Sequence, residues 1–157
     1  MRAFVSRNEN ESKEDAILRH AMSIMETRVR KYDLSFTNPN TVKQYVVGKL
    51  STLEHEVFGI MFLNNQNQLI EYEEMFRGTI DGASVYPREV VKRALELNSA
   101  AIIFTHNHPS GITEASEADK QITSRLKQGL ELVDIRVLDH VIVAGTETTS
   151  FAELGLI

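Results

Sequence analysis

Cysteine is absent from the 157-residue chain, which excludes disulfides and any thiolate metal site. No apolar run approaches the ~20 residues needed to span a bilayer. Residues 1–14 are polar and charged, without the apolar core of a signal peptide. A cytoplasmic protein with no membrane partner is the expectation. Positive charge is not in excess either. A formal net charge of −5 argues against a chain that coats nucleic acid, since phosphate binding rests on dense Lys and Arg. The local cluster Arg28, Arg30 and Lys31 has acidic residues nearby and reads as a solvated helix end. Internal repeats and low-complexity segments are also lacking. What is present, 42% hydrophobic and 25% charged residues, is ordinary for a globular domain. A chain of this length buries about 70% of its unfolded surface.

Hydrophobic periodicity divides the chain into elements. Ser12 to Asp15 reads as a capping box before an amphipathic helix, with Ile17, Ala21, Ile24 and Met25 at helical spacing. Asn38 and Pro39 start a second helix whose apolar face is Val42, Tyr45, Val46 and Leu50. Between them, residues 33–37 form the plausible internal boundary. Residues 56–63 are apolar on both faces, which suits a central strand covered on both sides. A turn at 64–67 returns the chain as a strand over 68–76. Pro87 begins a helix carrying Val90, Val91, Ala94 and Leu95, and Asn98 stops it. Residues 100–105 form a second buried strand. Ser116 opens a helix with Ile122 and Leu126 inward, and two further strands are predicted at 134–138 and 141–143. This order predicts an α/β sandwich, a mixed β-sheet between helices.

Chemistry gathers at the end of the second buried strand. His106 and His108 lie on one side of an extended segment, because side chains alternate with a period of two. Pro109 and Gly111 force a turn, which can bring Asp119 on the next helix back toward the imidazoles. Two histidines and an aspartate are a ligand set for catalytic zinc, which takes three protein ligands and leaves a fourth position open. A lone His-x-His would mean little, and Ser116-x-x-Asp119 alone is a helix capping box. In register, the two readings coexist and the cap fixes the ligand.

The spacing is His-x-His, seven residues, Ser, two residues, Asp. It matches the metal signature of the JAMM (MPN-plus) metallopeptidases. Gly78-Thr79-Ile80, Pro87-Arg88-Glu89 and His106 to Gly111 resemble the RadC branch of that superfamily. The resemblance runs from about Phe36 to Ile157. It implies the MPN (JAMM, cytidine-deaminase-like) fold over residues 36–157, after an N-terminal helical extension at 1–35. It also implies Zn2+ held by His106, His108 and Asp119, and a protein or peptide substrate cleaved at an amide or isopeptide bond.

By the same resemblance, a glutamate on an early strand serves as general base, a group that must stand near the open position and off the metal. Glu56 occupies that place, and Glu54 is the alternative in a loop. Ser116 inherits oxyanion binding, which can contribute a few kcal/mol. His20 and His55 are expected at the surface. His140 is either a partner for a ligating imidazole or a buried structural histidine. Arg88 faces the cleft or pairs with Glu89 or Asp81. Longer RadC proteins carry a helix-hairpin-helix region suited to DNA, and residues 1–35 lack its Gly-rich hairpins. A DNA-processing role is therefore weakened, with any nucleic-acid binding expected to be weak. A non-catalytic scaffold is disfavoured because every ligand is retained.

Overall fold

Along the chain, α1 (Lys13–Lys31) and α2 (Pro39–Leu50) precede the hairpin β1 (Val57–Leu63) and β2 (Leu69–Arg77). Then follow α3 (Pro87–Glu96), β3 (Ala101–Asn107), α4 (Glu117–Glu131), β4 (Arg136–Ala144) and β5 (Glu147–Ser150). This computed structural model describes residues 12–31, 36–78 and 85–157, with backbone alone at 29–31. Residues 1–11, residues 33–35 of the expected boundary, and Thr79, Ile80 and Asp81 lie outside the described residues, as do the side chains of Arg30 and Lys31.

The strands form one sheet in the order β2-β1-β3-β4-β5. Only β3 and β4 run parallel, joined by α4; every other neighbouring pair is antiparallel. The sheet is therefore mixed, as expected. Every residue of β1 and β3 is buried, because helices cover both faces. On one face Met22 of α1 and Val42, Tyr45, Val46 and Leu50 of α2 pack on Val57, Met61, Leu63 and Ile103. On the other, Val90 and Ala94 of α3 and Ile122, Leu126 and Leu130 of α4 pack on Phe58, Ile60, Phe62, Ile102 and Phe104. Along β1 and β3, alternation thus sends odd-numbered residues toward α1 and α2, and even-numbered ones toward α3 and α4.

Helix α2 starts as predicted, Asn38 capping the Asn40 amide with Pro39 in the first turn. Two expectations are corrected. Among the described side chains of α1 the buried one is Met22 and Met25 packs half-buried on the same core, whereas Ala21 is exposed and Ile17 and Ile24 are 68% and 41% exposed. Gly48 on α2 decides this, since a side chain there would collide with the Met22 sulfur. Residues 134–138 and 141–143 are not separate strands either. Asp139 and His140 lie inside a continuous β4, and the last strand is β5, entered through Gly145 at φ 63°. A polar pair can occupy mid-strand here because both side chains find partners. Asp139 accepts from the His140 and Ala152 amides and from Ser150 Oγ.

Candidate metal centre

The parallel β3–α4–β4 unit brings the carboxyl end of β3 and the first turn of α4 together, the usual place for ligands in α/β sheets. His106 is the penultimate residue of β3 and faces α4, as its even position requires. His108 follows the strand and stays in line with it, its amide donating to the Val143 carbonyl at 2.8 Å. The turn after it closes through the Gly111 amide to the His108 carbonyl at 3.0 Å. Gly111 sits at φ 81°, where a side chain would be strained.

Ser116 is the N-cap of α4, and the capping box is complete. Ser116 Oγ accepts the Asp119 amide at 3.0 Å, and Asp119 Oδ2 accepts the Ser116 amide at 2.8 Å. The cap orients the carboxylate so that Oδ1 lies 3.2 Å from His106 Nε2 and Oδ2 lies 3.3 Å from His108 Nε2. The two Nε2 atoms are 2.8 Å apart. One ligand atom from each of His106, His108 and Asp119 thus falls within 4.8 Å of the others.

These residues fit a zinc ion. Metal–ligand bonds of 2.0–2.2 Å at tetrahedral angles set ligand atoms roughly 3.3–3.5 Å apart. The carboxylate–imidazole separations nearly have that value, and the imidazoles need to part by about half an ångström. The carboxylate is almost fully buried, at 3% side-chain exposure, so its charge calls for a cation. In the metal-free site burial pushes Asp119 up, but hydrogen bonds from His106 and His108 outweigh it and hold the carboxyl well below its ordinary range. The Asp119 hydrogen bond pushes His108 up, against burial, and the Glu56 charge adds to the effect.

Glu56 stands at the same end of the sheet. In the β1–β3 register Phe58 lies opposite His106, so Glu56, two residues earlier, falls beside His108. Its backbone is held on both sides. The Gly78 amide donates to the Glu56 carbonyl at 2.9 Å. Asn107 Oδ1 accepts from the Val57 amide and Asn107 Nδ2 donates to the His55 carbonyl, each at 2.8 Å. Glu56 is half-buried while Glu54 is exposed. His20, His55 and Arg88 are exposed as well.

Sequence reasoning gave Asn107 no role. As the middle residue of His-x-His it points away from the imidazoles, and that alternation was its only signal. His140 is fully buried, with Nε2 2.7 Å from His106 Nδ1 and Nδ1 2.6 Å from Thr123 Oγ1. Desolvation pushes it well below the ordinary histidine value. It is both buried and a hydrogen-bond partner of His106, so its contacts fit both roles open to it.

Helices on both faces of a five-stranded mixed sheet, with a His-His-Asp group at one strand end, give an α/β sandwich of the MPN/JAB type. The chain belongs to the family described as RadC-like JAB domain, whose model matches residues 36–156. It is 56% identical over 142 residues to a "UPF0758 protein" of Vibrio cholerae, covering 90% of this chain and 89% of that protein. Relatives of the same description from Nitrosococcus oceani and Saccharophagus degradans are each 55% identical over 85% and 88% of this chain. Of those longer proteins the matched part spans 59% and 60%. No described helix is long and apolar enough to cross a membrane.

Proposed function

We propose that this RadC-family domain is a zinc-dependent metallohydrolase that cleaves a peptide or isopeptide bond. The observation that supports it most is the closeness of the three ligand atoms around a buried carboxylate. His106, His108 and Asp119 would hold the ion. When bound, it would supply Lewis-acid polarisation of a carbonyl and a water acidic enough to attack at neutral pH.

The remaining work falls to side chains of this chain. Glu56 takes the proton from the attacking water and returns it to the leaving nitrogen. Its half-buried place beside His108, outside the His-His-Asp group, supports that role. Ser116 uses an Oγ lone pair on the Asp119 amide, which leaves its hydroxyl proton for the oxyanion. Phe58, stacked on His106 with centroids 6.2 Å apart, excludes water from the back of the site. A protein or peptide is the substrate class, and nucleic acid is at most a weak partner.

Elemental analysis of protein purified without added metal tests the reading. Near-stoichiometric zinc is expected, and its loss in the His106→Ala/His108→Ala double variant. Undiminished zinc in that variant would overturn the site. Stoichiometric zinc with no turnover across a panel of peptide and isopeptide-linked substrates would favour a scaffold.

A further inference from the structure

Each ligating imidazole must present a bare Nε2, so its other nitrogen must carry the proton and give it to an acceptor. For His108 the acceptor is immediate, the Ile112 carbonyl at 2.7 Å from Nδ1. For His106 the partner is another imidazole, which can donate or accept, so the pair alone does not choose a tautomer. The choice is made two bonds further on. Thr123 stands one turn after Asp119 on α4, and its Oγ1 lies 2.7 Å from the Asp119 carbonyl as well as 2.6 Å from His140 Nδ1. A hydroxyl has one proton, and a carbonyl can only accept.

We infer that His140 and Thr123 are positioning residues. They form a one-way chain of hydrogen bonds that runs from His106 Nδ1–H to His140 Nε2, from His140 Nδ1–H to Thr123 Oγ1, and from Thr123 Oγ1–H to the Asp119 carbonyl. The chain holds His106 in the tautomer whose bare Nε2 faces the ion. This inference rests on the metal reading proposed above. Reversing it would turn the threonine hydroxyl away from its carbonyl and place a proton on His106 Nε2, in the space a metal needs. The His140 ring is boxed by aromatic rings, stacked on Phe151 at 4.5 Å between centroids and edge-on to Phe58 and Phe104 at 5.6 and 6.0 Å. Inside that apolar box the ring meets one polar partner at each nitrogen, His106 at Nε2 and Thr123 at Nδ1. Both ligand chains therefore end on a backbone carbonyl, His108 directly and His106 through two side chains. The Asp119 residue that supplies a carboxylate at its side chain also fixes the neighbouring ligand through its backbone.

Two readouts test this, neither dependent on turnover. In zinc-loaded protein labelled with 15N-histidine, long-range NMR correlations should show protonated Nδ1 on His106, His108 and His140, with the His140 Nε2 bare. A His140 protonated at Nε2 would overturn the chain in the wild-type protein itself. Thr123→Val keeps the shape but removes the hydroxyl, so it should weaken zinc binding roughly 10- to 100-fold in a chelator competition. Thr123→Ser should restore the wild-type value, with melting temperature followed in both. Wild-type protein that binds zinc while Thr123→Val binds it equally well would sink the relay alone. Wild-type protein that binds no zinc would overturn the metal reading, and the relay with it.

Discussion

Alternate residues of the same strands build the two faces of the sheet, yet the candidate metal centre lies on one face only. Toward α1 and α2, β1 and β3 present Val57, Met61, Leu63, Ala101 and Ile103, met by Val42, Val46 and Leu50, while Thr105 and Asn107 bond backbone groups. Toward α3 and α4 the strands are equally apolar at Phe58, Ile60, Phe62, Ile102 and Phe104, until His106 and His140 interrupt them. A buried polar group left without a partner costs about 1–3 kcal/mol. On that face His106, His140, Thr123 and Asp119 satisfy one another at the end of the sheet nearest the α4 N-terminus. One face stabilises by shape, and the other does so only where its polar groups are paired. Substitutions on the two faces should therefore fail in different ways.

The sharpest break in this contrast is Glu56→Gln. The amide is close in shape but cannot take a proton, so turnover should be abolished while zinc content and melting temperature stay at wild-type values. If Glu54→Gln is the inactive variant instead, the assignment of the base is wrong. On the opposite face, Leu50→Ala empties a fully buried site and should cost 2–5 kcal/mol in chemical denaturation. Its zinc stoichiometry and its turnover per folded molecule should be unchanged. A loss of zinc there would mean that the faces are not separable.

Ser116→Ala removes both a cap and a donor. We expect about 1 kcal/mol of stability lost together with a ~10²-fold fall in kcat. A variant that is less stable but fully active would leave Ser116 as a cap alone. The smallest effect concerns pH. In metal-free protein His108 has a raised folded-state pKa because of Asp119. Its contribution to stability is complete below the unfolded value of ~6.5 and is lost as pH rises through the folded value. Melting temperature of the metal-free protein should decline over that window, and a flat profile in the wild type, matching that of His108→Gln, would contradict it.

The grouping of His106, His108 and Asp119 was legible because its signal is covalent spacing. His106 and His108 must share a side of an extended chain, and a cap residue in the first turn of α4 must face the strand that precedes it. The order of helices and strands was legible too, since α2 and the buried strands follow simple periodicity. The break between 138 and 141 was misread because Asp139-His140 looks like a turn. Only the fold reveals that Ser150 and the Ala152 amide bind Asp139, while His106 and Thr123 flank His140. Likewise, the α1 face was chosen by apolar count, and the decision lay with a glycine on α2. Asn107 had alternation alone as a signal and Thr123 had none, because their partners at 53–57 and at His140 are remote in sequence.

The central claim is that one imidazole from each side of Asn107 and one carboxylate from the α4 cap hold a zinc ion. X-ray absorption at the zinc edge of the loaded protein addresses it most directly. A four-coordinate shell at about 2.0–2.2 Å is expected, with the outer-shell scattering of two imidazoles, reduced to one in His108→Ala. A six-coordinate oxygen shell without imidazole scattering, or a spectrum unchanged by that substitution, would contradict it.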